Sequence, residues 1–251
     1  RATAVLPPGG KPGETLAVRW IGDAAGEATT EVPLPTETRY GWGLQRQDDR
    51  GFSPYPNAFR MSNLDNVMEV EPNDDHATAT PFTAPMAING ILEKPGDVDH
   101  FVFTGKQGQV FDFTVYGRQL RSPIDAVLYL AKKGGGVLAG SDDANGPDSA
   151  FRHTLPEDGE YVVLIHDQLK KGGPDYVYRI EITPPEPRLT VSTPAEQIML
   201  GTPVMAVAVP KGGRQAILIQ GSRADFGGEV LFDAPGLPPG VEMEAPARAA
   251  S

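Results

Sequence analysis

The sequence predicts an all-β protein, an antiparallel β-sandwich, and three observations predict it. Its 251 residues include 29 glycines and 25 prolines, so roughly a fifth of the chain is turn-forming, which suits short strands joined by many turns. Apolar residues at the helical spacing i, i+3, i+4, i+7 are repeatedly broken by Gly or Pro before two turns are complete. What remains is alternation, the period-2 signature of a strand with one face inward.

The strands follow in order. Ile88–Leu92 and His100–Thr104 come first, and then Val110–Tyr116, which turns Phe111, Phe113 and Val115 to one side. Ala126–Leu130 and Tyr161–His166 continue the set, with Pro-Gly, Gly-Gly and Asp-Gly turns between them. Tyr176–Thr183 closes it, with Tyr176, Tyr178, Ile180 and Ile182 on one face and Val177, Arg179, Glu181 and Thr183 on the other, as a half-buried strand requires. The tyrosines share a face with isoleucines and so read as core first and as a contact surface second.

Two composition breaks divide the chain into three modules, 1–66, 67–184 and 185–251. The acidic, Asn-rich stretch Met61–Asp75 follows a segment holding both tryptophans, Trp20 and Trp42. Pro184-Pro-Glu-Pro187 ends the last strand, since prolines remove ladder donors and favour an extended linker. Beyond it, Pro203–Val209 and Arg214–Gln220 read as strands, and the third module is expected to be cut short.

Composition excludes several functions. With 39% hydrophobic and 22% charged residues the chain can bury a core, which argues against wholesale disorder. A net charge of −11 repels phosphate backbones and anionic lipid and attracts divalent cations where carboxylates converge, so no nucleic-acid partner is expected. No run of 18 apolar residues exists, so no membrane-spanning helix is expected in this stretch. Cysteine is absent, which removes disulfides, thiolate metal sites and thiol nucleophiles together. His76, His100, His153 and His166 fall in no zinc-binding spacing, and neither a Gly-x-Ser-x-Gly elbow nor a phosphate-binding Gly-rich loop occurs. A hydrolase would need a site assembled from distant loops, and no enzyme is expected.

The densest group of oxygen ligands is Glu69, Glu71, Asn73, Asp74 and Asp75, followed by Asp97 and Asp99. Calcium takes six to eight such oxygens. Alternation places Glu69, Glu71 and Asn73 on one side of an extended segment stiffened by Pro72, and Asp97 and Asp99 share a side likewise. The alternative is a solvated acidic linker that uses Asn and Asp for Asx-turns. A second acidic loop, Ser141–Ser149, contains Asp142, Asp143, Asn145 and Asp148 but lacks a bidentate Glu at the twelfth position. Asx hydrogen bonds, with Asp125 bracing the loop, account for it first, and a second ion is the alternative.

Tyr40, Trp42, Phe52, Tyr55 and Phe59 crowd into twenty residues rich in Gly and Pro. Such rings fill the core of a small N-terminal sandwich or, as the other reading, Tyr40, Trp42, Phe52 and Tyr55 present themselves to a sugar or peptide.

Val70–Thr183 resembles the bacterial pre-peptidase C-terminal domain, a jelly-roll sandwich appended to secreted proteases and to planctomycete-type surface proteins. The resemblance is carried by Val70-Glu-Pro-Asn-Asp-Asp75, Asn89-Gly90, Pro95-Gly-Asp-Val-Asp-His-Phe101, Ser122-Pro-Ile-Asp-Ala-Val-Leu128, Ser141-Asp-Asp143, Asp158-Gly-Glu-Tyr-Val-Val163 and Gly173-Pro-Asp-Tyr-Val-Tyr-Arg179. His100 stands where the pattern more often has Tyr or Trp. Val5–Leu16 is similar to the opening of an immunoglobulin-like TIG-type module, and Gly236–Val241 to a turn of another Ig-like sandwich.

The resemblance implies a jelly-roll flanked by Ig-like modules, within a larger secreted or cell-surface protein, extracellular or periplasmic. In the related collagen-binding modules of clostridial collagenases the corresponding acidic segments hold calcium, which implies Ca2+ at Glu69, Glu71, Asn73, Asp74, Asp97 and Asp99. The expected role is a non-catalytic spacer or targeting region. The rival is recognition of an extracellular polysaccharide or a fibrous, collagen-like protein.

Overall fold

The structure is a computed structural model that describes residues 2–24, 26–37, 42–49, 51–144, 146–192, 198–199, 202–203, 208–216, 219–231, 233–244 and 248–249. Among the described residues its regular structure is almost wholly strand, and the chain falls into two compact units, 1–184 and 185–251.

The first unit opens with a three-stranded antiparallel sheet, order β1-β2-β3, formed by β1 (Ala4–Leu6), β2 (Thr15–Ile21) and β3 (Ala28–Pro33). Val5, Val18, Trp20, Leu34, Leu44 and Phe59 make its core. The Trp20 indole is buried and donates to Thr30 Oγ1 at 2.7 Å, so the ring is held at both its apolar body and its polar tip.

The rest of the unit is a sandwich of two five-stranded sheets. Its strands are β4 (Asn66–Met68), β5 (Thr80–Pro81), β6 (Met86–Ile91), β7 (Val98–Gly105), β8 (Val110–Tyr116), β9 (Ala126–Lys132), β10 (Val137–Ser141), β11 (Ala150–Thr154), β12 (Gly159–Asp167) and β13 (Val177–Thr183). One sheet has the order β4-β6-β13-β8-β11 and the other β5-β7-β12-β9-β10. Pairing is antiparallel except at β4 with β6 and β5 with β7, where the lead-in segments join each sheet parallel to their neighbours. Each of the six strands anticipated from alternation is present, Val110–Tyr116 with the same bounds and the others with ends within two residues of those expected.

Inward residues of both sheets form one core. Phe101, Phe103, Phe111, Phe113, Tyr161, Ile180 and Ile182 pack there, and Phe111, Phe113 and Val115 face inward as alternation requires. The stacked pair Phe113–Phe151, with centroids 4.9 Å apart, closes one side.

β13 departs from the half-buried expectation. Both of its faces are covered, and Arg179 and Glu181 are buried along with Ile180 and Ile182. The cover is the N-terminal segment: Ala4 and Ile21 pack on Ile91 and Val177, and Arg60 reaches Glu181. Arg179 donates to Glu181 Oε1 at 2.9 Å, Asn66 Oδ1 at 2.7 Å, Asn89 Oδ1 at 2.9 Å and Ser62 Oγ at 2.8 Å. Arg60 Nη2 donates to Glu181 Oε2 at 3.0 Å, and the Arg60 Cζ lies over the Tyr116 ring, 4.4 Å from its centroid. Arg179 and Glu181 are thus removed from water together, each with hydrogen-bond partners, as buried charges require, and the partly exposed Arg60 closes the group at its rim. Gly9 permits this approach, because a β-carbon there would run into the Arg60 carbonyl and the Arg179 guanidinium. The stretch Met61–Asp75, read as a boundary, supplies Ser62, Asn66 and strand β4 to this joint.

In the second unit, described residues pair as Arg188–Ser192 with Gln220–Ala224, Ile198–Met199 with Thr202–Pro203, and Glu229–Val230 with Arg248–Ala249. Pro203–Val209 and Arg214–Gln220 lie partly outside the described residues; of their described parts only Pro203 and Gln220 are in strands.

Candidate metal centre

The lead-in segment Glu69–Asp75 passes β6 and β7, and it bends at Glu71, Asp74 and Asp75 where the sequence predicts an extended run. Its backbone is fixed at both ends: the Glu69 N–H donates to the Asn89 carbonyl at 3.0 Å, and the His100 N–H donates to the Asn73 carbonyl at 3.0 Å. Between these anchors the Val70 N–H donates to Thr80 Oγ1 at 3.0 Å. Glu69 and Glu71 both meet Asp99 of β7, although the bend at Glu71 rather than simple alternation along an extended run sets their positions, and Asn73 is not among the three. One carboxylate oxygen from each of the three lies within 4.8 Å of the others. Two oxygens bound to one calcium ion at 2.3–2.6 Å are at most about 5 Å apart, so the spacing suits a shared ion.

Burial makes this convergence costly without a cation. Glu69 Oε1 accepts from the Ile91 N–H at 2.7 Å, and its Oε2 lies 3.0 Å from the Tyr178 hydroxyl. That same hydroxyl is 2.5 Å from Asp99 Oδ2. A phenol has one proton and can donate to only one of the two carboxylates. Burial first, and then the charge of Glu69, push the Asp99 carboxyl up to about 9, while burial pushes Glu69 up to about 7 against the hydrogen bond from Ile91. Burial and the two carboxylates raise the Tyr178 phenol well above its ordinary value, so it stays a donor. Glu71 is raised by burial and by the charges of Asp97, Asp74 and Glu93, against the hydrogen bond from the Asn73 N–H.

The other anticipated ligands occupy distinct places. Asn73 is fully buried, and neither atom of its side-chain amide has a partner. Asp97 Oδ2 accepts from the Glu93 N–H at 2.6 Å, and its buried Oδ1 has no hydrogen bond, with Lys94 Nζ at 3.6 Å. Asp99 Oδ1 is likewise buried and unpartnered. Asp74 is half-exposed and faces Lys94 Nζ at 3.5 Å. Asp75 turns away from the cluster and accepts from the Ala77 and Thr78 N–H groups, an Asx-type turn.

Orphaned oxygens on Asn73, Asp97 and Asp99 beside three converging carboxylates fit a hard, oxygen-seeking cation. A purely oxygen donor set points away from zinc. Among the described residues no other group of three or more His, Asp or Glu side chains has this spacing.

Two contributors escaped the sequence reading. Tyr178 is core by its ring and a hydrogen-bond donor by its hydroxyl. Gly90 is its partner across the ladder, and a β-carbon there would collide with Glu69 Oε2 and the Tyr178 hydroxyl. Each residue was visible, Gly90 in the Asn-Gly pair and Tyr178 in the alternating strand, but their meeting depends on a register 88 positions long.

The Ser141–Ser149 loop is held by ordinary hydrogen bonds. Asp148 accepts from the Arg118 and Gln119 N–H groups at 2.8 and 3.1 Å, and the single proton of Ser149 Oγ is within hydrogen-bond reach of the carbonyls of Ala126, Ser141 and Asp142. Asp125 pairs with Arg118 at 3.0 Å. Asn145 lies outside the described residues, as does Tyr40. Of the remaining aromatics, Trp42 packs edge-on against Phe59 at 5.8 Å beside the N-terminal core, whereas Phe52 and Tyr55 are 67% and 63% exposed. The aromatic cluster is therefore divided, with part in the core and part on the surface. Among the described residues, no helix is long and apolar enough to cross a membrane.

No protein-family model matches the chain. Over 105 residues it is 40% identical to a probable subtilase-type serine protease of Deinococcus radiodurans, a stretch that takes in 41% of this chain and 14% of that protein. The chain thus matches only a small part of that curated relative's length. Among solved structures, the pre-peptidase C-terminal domain of a Bacillus anthracis collagenase covers 46% of this chain over its own full length, at 17% identity and a TM-score of 0.35. The periplasmic lysozyme inhibitor PliG of Aeromonas hydrophila covers 42% of this chain over 97% of its own, at 16% identity and a TM-score of 0.32. The β-sandwich assignment rests on the two sheets described above.

Proposed function

We propose that this chain is a non-catalytic accessory region of a longer bacterial protein, secreted or held at the cell surface, and that residues 67–184 are a calcium-stabilised domain of the pre-peptidase C-terminal kind. Residues 1–66 and 185–251 are then its Ig-like flanking modules. The local identity to a subtilase-type protease supports attachment to a catalytic unit encoded elsewhere in the longer chain.

The observation that carries this reading is the convergence of Glu69, Glu71 and Asp99 beside buried, unpartnered oxygens of Asn73, Asp97 and Asp99. These residues would hold the ion, with Asp74 at the rim. A bound divalent cation would neutralise carboxylates that otherwise repel one another and tie the lead-in segment to β7. Since Ser62 and Asn66 just before that segment bond Arg179, the clamp would fix the N-terminal segment against the sandwich. The role is mechanical: spacing or aiming whatever the longer chain carries.

Thermal unfolding in EDTA, then in millimolar Ca2+, tests this directly. A ligand at ~100 times its dissociation constant adds about 2.7 kcal/mol to the state that binds it. A saturable rise in Tm with calcium and little with magnesium is expected, and calorimetric titration should give one ion per chain; no shift and no heat overturn the calcium reading.

The exposed pair Phe52 and Tyr55 favours a second reading, recognition of an extracellular polysaccharide or a collagen-like fibrous protein. A glycan and collagen array decides it, and silence on both leaves the spacer role alone.

A further inference from the structure

A cavity of about 330 Å3 opens in the first unit where β1 faces the Asn57–Ala58 strand and the 3-10 turn Arg118–Leu120. Its apolar lining combines Ala4, Val5, Ala58 and Val177 with the larger Pro8 and Leu120. Four features give it a chemical preference. Asn57 lines it, is 5% exposed, and has a buried Nδ2 with no hydrogen-bond partner. A buried amide donor of that kind is normally satisfied by protein, water or ligand.

Arg121 lines the same cavity, and its Nη1 lies 3.4 Å from the carbonyl of Pro56, the residue just before Asn57. A guanidinium has five donors, so most of its capacity is open to a ligand. No carboxylate among the described residues lines the cavity, although the chain carries 33 acidic residues. Finally, β1 is the edge strand of its sheet, and the lining takes Ala2 to Val5 but nothing from β2 or β3. An edge strand presents backbone N–H and C=O groups that another extended chain can pair with.

We propose that this cavity binds the carboxy-terminal end of an extended peptide, with its carboxylate at Arg121 and Asn57 and its backbone alongside β1. Arg binds carboxylate with charge-assisted hydrogen bonds, and a neighbouring amide N–H adds a second direction of recognition. Strand addition to an edge supplies affinity through main-chain hydrogen bonds. This site is separate from the carboxylate cluster and does not rest on calcium.

The test is a titration of the 15N-labelled full chain with N-acetyl-Ala-Ala-Ala as the free acid, with the same peptide as its carboxamide, and with galacturonate. The free acid should give saturable shifts at Ala2, Ala4, Val5, Asn57 and Arg121, and the carboxamide should bind at least about tenfold more weakly. Arg121→Gln, at an exposed position that leaves the core intact, should cost the free acid at least about tenfold in affinity. Equal binding of acid and carboxamide, tighter binding of galacturonate, an unchanged Arg121→Gln variant, or no saturable shift with any probe would each overturn the proposal.

Discussion

Tyr178 stands opposite Gly90 across the β6–β13 ladder, and its hydroxyl reaches Glu69 and Asp99 through the space that a side chain at position 90 would fill. The fold thereby delivers a donor from the middle of its core to two carboxylates at its edge. Everything chemical about the acidic cluster depends on that access.

Gly90→Ala should therefore disturb the cluster more than an added methyl ordinarily disturbs a strand. Overpacking a filled site costs roughly 1–3 kcal/mol, and here the displaced groups are Glu69 and Tyr178 themselves. The expected result is a lower Tm in EDTA together with a reduced calcium response. A variant that unfolds earlier yet keeps its full calcium shift would show that the cluster repacks around the methyl.

Asp99→Asn separates two effects that are joined in the native protein. The amide is neutral without taking up a proton, whereas burial and the charge of Glu69 push the Asp99 carboxyl up to about 9 and so make folding near neutrality carry the cost of protonating it; the metal-free protein should therefore become more stable. The same change removes a ligand, so the calcium-induced rise in Tm should vanish. Paired melts of the native chain and the variant, each in EDTA and in Ca2+, read both signs. Asp99→Asn with an undiminished calcium rise would remove Asp99 from the site.

The metal-free protein should lose stability as pH rises. Glu69 and Asp99 titrate near 7 and 9 in the folded chain, pushed above their ordinary values of 4.5 and 3.8 chiefly by burial. The folded state consequently holds more protons than the unfolded state between about pH 4 and 9, and stability falls across that window. The contribution is full below the ordinary values and gone above the folded ones. Melts in EDTA at intervals from pH 5 to 9 should show the decline, and saturating calcium should flatten it. A metal-free Tm that is level or rising over the range contradicts the raised carboxyl groups.

The sandwich and half of the cluster were legible in the sequence because both are local. Alternation in Val110–Tyr116 needs seven neighbouring residues, and Glu69 with Glu71 needs three. Legibility ended where distant segments meet. Nothing near Tyr178 says that Gly90 lies across from it, and nothing near Arg179 says that its strand has no solvated face. A polar residue at every second position ordinarily means water on that side. Here the water is replaced by Ser62, Asn66, Asn89 and Arg60, which come from other parts of the chain.

That replacement makes the Arg179–Glu181 pair the point at which the N-terminal segment is held to the sandwich. Removing one member strands the others: Arg179→Leu leaves Glu181 buried with Arg60 alone and leaves Asn89 Oδ1 without its donor, while Asn66 Oδ1 keeps only the Asn89 amide. Breaking a buried ion pair costs about 3–5 kcal/mol because an uncompensated charge stays behind. Burial raises the Glu181 carboxyl, but hydrogen bonds from Arg60 and the charge of Arg179 outweigh it and hold the group below its ordinary value. Glu181 therefore adds stability that is present above about pH 4.5 and is lost as the pH falls through its folded value. Arg179→Leu should lower Tm by several degrees near neutrality and flatten part of the acid limb. Limited proteolysis should then cut within 1–66 before the sandwich. If the variant melts with the native Tm and resists cleavage equally, the apolar seam of Ala4, Ile21, Ile91 and Val177 is sufficient to hold the segment.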